Sequence, residues 1–163
     1  MKETVIGDIL DDRCCAGKFF TYAGPVLLAV NPRDPHLKND IFAPHRLTEY
    51  TYDAKKVPEQ RPHLFSVTLA AYTAMKTEKK NQVVTFLGDR GSGKSTLARH
   101  AVEHLLRVKP DTPKALTASR LQEIHAALDI LGIVTQHTSI EDRGIFTHDN
   151  AAFVIKVLYD PQK

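Results

Sequence analysis

Apolar residues recur along this chain with two spacings, one helical and one strand-like. Val5, Ile6, Ile9 and Leu10 predict a short amphipathic helix within Thr4–Cys14. Phe19–Tyr22 and Pro25–Val30 read as two short strands with Gly24-Pro25 as the turn between them. Asn31-Pro32 ends the second strand, and Pro35 marks a loop. Pro44 opens a short helix running to about Tyr52, and Pro58 and Pro62 mark a further loop. Leu64, Phe65, Val67, Leu69, Ala70, Tyr72 and Met75 give a helix with one broad apolar face, followed by a polar turn over Lys76–Asn81. Gln82–Leu87 reads as a short buried strand, and Thr96–Leu106 returns to helical spacing, ending near Lys109-Pro110. Asp111–Lys114 reads as a linker. Ser119 is placed to cap a second helix carrying Leu121, Ile124, His125, Leu128 and Leu131 on one face, with Gly132 terminating it. Ile133–Asn150 reads as polar and irregular, and Phe153–Tyr159 as a last strand.

Between the strand at Gln82–Leu87 and the helix after it stands Gly88-Asp89-Arg90-Gly91-Ser92-Gly93-Lys94-Ser95, with Thr96 behind. This is a complete phosphate-binding pattern, G-x-x-x-x-G-K-[ST], in its strand–loop–helix context. The glycines let successive backbone N–H groups converge on one anion. The positive end of the following helix adds to that field. Lys94 can reach the β- and γ-phosphates, and the Ser95 hydroxyl can ligate Mg²⁺. A bare glycine-rich turn would require neither Lys94, Ser95 nor these flanks.

At 163 residues and 18.2 kDa the chain fits one domain, residues 1–163, with a real core. A net charge of +3 is too small to argue for nucleic acid. His100 and His104 share a helix face without a third ligand, which reads as surface histidines rather than a metal site. Cys14 and Cys15 are the only cysteines and are adjacent, which points to a reducing compartment. The N-terminal residues form no signal peptide, and no apolar run is long enough to span a membrane, so a cytoplasmic protein is expected.

Three collinear blocks resemble the first third of a myosin motor head. Phe19-Phe20-Thr21-Tyr22-Ala23-Gly24-Pro25, continuing to Asn31-Pro32, is similar to that family's I-Y-T-Y-S-G…N-P strand pair. Arg61-Pro62-His63-Leu64-Phe65-Ser66-Val67, then Ala71-Tyr72, resembles its P-P-H-I-F-x-I…A-Y helix start, and Gly88–Ser95 stands where it carries G-E-S-G-A-G-K-T. The resemblance covers Thr4–Leu106 well and Leu121–Asp160 weakly. It implies an α/β fold, a P-loop NTPase-type sheet with flanking helices like the N-terminal part of a myosin head. It also implies ATP or ADP with Mg²⁺ as cofactor, unless the loop is vestigial. Asn31 and Pro32 would then line the adenine pocket. Phe42 falls where the family has an adenine-packing Tyr, and an aromatic face survives the lost hydroxyl; a plain core residue is the other reading. Asp89 replaces the family Glu, and Ser95 replaces its Thr while keeping the Mg²⁺ hydroxyl. Arg90 adds a bulky cation that either contacts phosphate or, the preferred reading, faces water.

Later residues depart from the family. Leu128-Asp129-Ile130-Leu131-Gly132 resembles the approach to its N-x-N-S-S-R-F switch, and Thr138–Gly144 lies at nearly the right distance. Arg143 then matches the family arginine, but Glu141 and Asp142 replace the two serines, and carboxylates beside a triphosphate repel it. Setting His148–Ala152 against the switch also lacks the Ser-Ser-Arg core. The second switch, relay helix, actin-binding cleft and lever are absent from these 163 residues. The expectation is a nucleotide-binding module without motor or actin-binding activity, a structural part of a larger cytoskeletal or ciliary assembly of protein chains, with no nucleic-acid or membrane partner. The alternative is a small P-loop NTPase or kinase acting alone, with Asp160 on Mg²⁺ at the end of the last strand and Glu141 or Asp142 orienting a nucleophile. A third reading is an interaction scaffold with an empty pocket.

Overall fold

Local sequence signals account for most elements in the first half of the chain. The computed structural model describes residues 3–32, 34–53, 61–89, 91–108, 114–141 and 144–149. The chain divides into two compact units, Met1–Thr85 and Phe86–Lys163.

In the first unit, helix α1 (Glu3–Cys15) leads into a hairpin of β1 (Phe20–Ala23) and β2 (Val26–Ala29), antiparallel with Phe20 opposite Ala29. The hairpin turn falls on Gly24-Pro25, as its sequence predicts. Arg13, in the last turn of α1, donates through Nε to Thr21 Oγ1 (2.6 Å) and through Nη2 to the Phe20 carbonyl (3.2 Å), tying helix to hairpin. The apolar stripe of α1 is not covered: Val5, Ile6 and Ile9 remain exposed.

The loop expected at Pro35 is instead helix α2 (Pro35–Ile41). The reason is local. Asp34 Oδ1 accepts from the His36 N–H (2.8 Å), and proline at the first helical position sacrifices no hydrogen bond. Helix α3 (Pro44–Glu49) follows, shorter than expected, and α4 (Leu64–Glu78) runs where the apolar spacing put it. Lys79 caps α4 in the left-handed region (φ 57°), its N–H reaching the Met75 carbonyl. A lone hairpin is only marginally stable in water, so α4 supplies the surface that β1 packs against. Tyr22 and Ser66 join the two through their hydroxyls at 2.7 Å. Around that joint Phe20, Tyr50, Leu64, Phe65, Leu69 and Tyr72 are buried.

The second unit contains α5 (Lys94–Arg107), α6 (Lys114–Thr135) and a hairpin of β3 (Gln136–Glu141) and β4 (Gly144–Asp149), antiparallel with Gln136 opposite Asp149. Helix α5 buries Ala101, Val102 and His104, and Val108 behind it is buried too. Three expectations fail here. Helix α6 begins at Lys114, before Ser119, whose hydroxyl bonds Glu123 within the helix (3.4 Å) instead of capping it. Gly132 does not end α6, because a single glycine weakens a helix without terminating it. The stretch after it is paired as a hairpin, not irregular. The last strand expected over Phe153–Tyr159 lies outside the described residues. No helix among the described residues is long and apolar enough to cross a membrane.

Candidate functional site

The glycine-rich stretch that begins at Gly88 turns tightly and is closed by the Lys94 side chain. Gly88 takes φ 149°, Gly91 68° and Gly93 93°, backbone angles that side chains rarely adopt. At Gly88 space adds to the constraint, since a Cβ there would stand 2.9 Å from Ser92 Oγ. Gly93 is the N-cap of α5, and its left-handed conformation swings the chain into the helix. Gly93 gives α5 no side-chain cap, and such a helix start suits an anion.

Lys94 Nζ donates to the carbonyl oxygens of Gly88 (2.7 Å) and Asp89 (2.6 Å). An ammonium carries three donors. Two therefore latch the beginning of the loop to the beginning of α5. The Ser92 N–H reaches the Asp89 carbonyl (3.3 Å) and completes the turn. Ser92 Oγ is buried without a hydrogen-bond partner among the described residues. The family pattern quoted above has alanine at this position. Ser95 and Thr96 lie exposed in the first turn of α5.

The segment entering the loop differs from its sequence reading. Gln82–Leu87 forms no strand, and Val83 and Leu87 are 87% and 88% exposed. A strand exists only by pairing. Among the described residues β1 pairs with β2 and β3 with β4, leaving no partner for this run.

Asn31 and Pro32 follow β2, half-buried, in the first unit. Phe42 is half-buried in the same unit, with its ring centroid 6.3 Å from Phe20, 6.1 Å from His63 and 6.0 Å from Phe65. Glu141 ends β3 opposite Gly144 in the second unit. Arg90, Asp142, Arg143 and Asp160 lie outside the described residues.

Of the paired histidines of α5, His104 is buried and His100 is half-buried. His104 is 1% exposed, and His100 Nδ1 lies 3.5 Å from Glu103, which also meets Arg107 Nη2 at 3.2 Å. The hydrogen bond from His100 leads in holding the Glu103 carboxyl below its ordinary value; Arg107, His100 and His125 add to it electrostatically, against the opposing effect of burial. Among the described residues no three His, Cys, Asp or Glu side chains are grouped to hold a metal.

One residue with a clear structural role escaped the sequence reading. His63 is the N-cap of α4, and its Nδ1 accepts from the Phe65 N–H at 3.0 Å. Histidine is not among the residues usually favoured there. The only signal was its place directly before the apolar face of α4.

The family model for the myosin head (motor domain) matches residues 1–141, and the chain belongs to that family. It is 33% identical over 106 residues to the myosin-M heavy chain of Dictyostelium discoideum, covering 65% of this chain and 6% of that one. Against myosin-4 of Saccharomyces cerevisiae it is 32% identical over 109 residues (67% and 7% of the two chains). Against myosin-52 of Schizosaccharomyces pombe it is 30% identical over 135 residues (82% and 8%). The chain thus spans less than a tenth of the length of these relatives.

Proposed function

We propose that this chain holds Mg·ATP or Mg·ADP in the loop Gly88–Ser95 and serves as a nucleotide-binding, non-motor component of a larger cytoskeletal assembly. The observation that carries the reading is the loop itself: three glycines in left-handed conformations, a lysine latched across them, and the uncapped start of α5. In this reading Lys94 neutralises the phosphates, Ser95 ligates Mg²⁺, and Asn31, Pro32 and Phe42 receive the base. The adenine preference and the parallel sheet of a P-loop NTPase come from the family. Glu141 and Asp142 stand where the family's switch has serines that hold Mg²⁺ and the attacking water, and the loss of those hydroxyls supports binding without efficient turnover. Partners are other protein chains, not actin. The exposed Val5, Ile6 and Ile9, together with Val83 and Leu87, support a covering surface supplied from elsewhere in the assembly. A ciliary or flagellar setting is the narrower form of the same proposal.

Thermal unfolding with and without Mg·ATP tests the reading. A ligand at a hundredfold its Kd adds about 2.7 kcal/mol, a shift of several degrees. That shift should vanish in Lys94→Ala. Equal melting temperatures for the wild type with and without nucleotide would overturn the proposal. Steady phosphate release abolished by Asp160→Asn would instead favour the independent NTPase.

A further inference from the structure

Helix α1 carries an apolar stripe that the first unit leaves open. Val5, Ile6 and Ile9 are 44%, 40% and 48% exposed. At the helical spacing they share one face about 100° wide. Arg13 continues the Val5–Ile9 row one turn on, but its guanidinium is committed to Thr21 and the Phe20 carbonyl. The helix is thus held to the hairpin by its last turn, while the aliphatic part of the row faces outward. Leu10, on the far side of Ile6, is half-buried and marks the inward side.

The charge beside this stripe has one sign. Asp8 and Asp12, one turn apart, border it along Val5 and Ile9, and Asp11 lies beyond them. All three are exposed. Arg13 is the sole basic residue within Glu3–Cys15. An acidic face therefore stands on a chain whose net charge is +3. That sign narrows what can cover the stripe. Helices that lie on membranes set Lys and Arg beside the apolar face, and carboxylates there are repelled by anionic headgroups. A second α1 laid on the first would bring carboxylates against carboxylates. A helix with aliphatic side chains on one face and Lys or Arg along its border meets both features, as flanking charges do in paired helices.

We propose that the Val5–Ile6–Ile9 face of α1 docks a basic amphipathic helix of another protein chain, with its aliphatic row on the stripe and its cations on Asp8 and Asp12. This inference rests on the reading of the chain as a component of an assembly of protein chains, and gives the chemistry of one contact in it. It does not depend on nucleotide. The contact is small for an interface, so it is reversible and weakened by salt.

Fluorescence anisotropy tests it, with a labelled amphipathic helix of leucine and lysine titrated by the full chain, and a leucine and glutamate helix of the same pattern as control. The wild type should bind the Leu/Lys helix, less tightly as salt rises, and not the Leu/Glu helix. Ile6→Ser/Ile9→Ser should weaken binding about tenfold or more, and Asp8→Lys/Asp12→Lys should reverse the preference between the two helices. Melting temperatures should stay unchanged, because these side chains are exposed. No binding by the wild type, or equal Leu/Lys binding by the wild type and both variants, would overturn the proposal. Dimerisation of the wild type, or its cosedimentation with phosphatidylserine vesicles, if lost in Ile6→Ser/Ile9→Ser, would assign the face to a second copy or to lipid and overturn it too. The Mg·ATP thermal shift, measured on the same proteins, separates the readings. Helix binding without that shift removes the nucleotide reading and keeps the docking surface; the shift without helix binding removes the docking surface alone.

Discussion

The two units of this chain hold themselves together by different means. The first is organised around rings: Phe20, Phe42, Tyr50 and Phe65 surround His63, whose two nitrogens close two helix ends. The second is organised around backbone and charge: a glycine turn latched by Lys94, and ion pairs at Arg99–Asp129 (2.6 Å) and Glu103–Arg107 (3.2 Å). Aromatic burial stabilises in proportion to area and geometry. Exposed ion pairs contribute at most about 1 kcal/mol each. Among the described residues the unit carrying the candidate phosphate site buries Ala101, Val102, His104 and Val108 and has no comparable ring cluster. A loop that must receive an anion leaves donors and space unfilled, and so cannot be packed like a core.

Phe65→Ala is the most severe way to test the contrast. Phe65 is 1% exposed and meets the rings of Phe42, Tyr50 and His63, so its loss should cost about 3–5 kcal/mol in denaturant unfolding, with exchange protection lost first along α4. A cost below about 1 kcal/mol would mean that the ring cluster does not organise the first unit.

Gly88→Ala should act next most strongly. Both the φ of 149° and the 2.9 Å approach of Ser92 Oγ oppose a Cβ, and about 1–3 kcal/mol of strain is expected in the loop. The measurable result is loss of the Mg·ATP-induced thermal shift. Ser92→Ala should have the opposite sign. Removing a buried hydroxyl that has no partner among the described residues is expected to raise stability by about 1 kcal/mol. A fall in melting temperature would mean the hydroxyl is satisfied in solution.

The smallest effects divide the units by pH. Glu103 in the second unit titrates below its ordinary value, so it contributes stability above the usual carboxylate range and loses it as pH falls through the lowered pKa. Unfolding measured between neutral and acid pH should be flatter in Glu103→Gln, by less than about 1 kcal/mol because the group is only half-buried. Tyr72 in the first unit has the reverse sign. Burial first, and Tyr52 second, push its phenol up, so its contribution is complete below the ordinary tyrosine value and is lost as pH rises through the raised pKa. Tyr72→Phe should flatten the alkaline limb alone.

The sequence by itself was enough for features whose causes lie within a few residues. The Gly24-Pro25 turn, the proline-led start of α3, the apolar face of α4 and the loop from Gly88 to Ser95 each depend on neighbouring positions. The Asp34-Pro35 start of α2 belongs with them and was legible, but the proline was read as a loop signal instead of a first helical residue. Three motif blocks in order were enough to place the chain among myosin heads, which the family match bears out. Tertiary structure decided what requires a distant partner. Gln82–Leu87 has the composition of a strand, but only a neighbouring strand can make it one, and none pairs with it among the described residues. His63 could be seen before a helix, while its bond to Ile41 needed the chain to return across 22 residues. Residue type settles which hydrogen bonds and contacts a side chain can make; the path of the chain settles which of them are within reach.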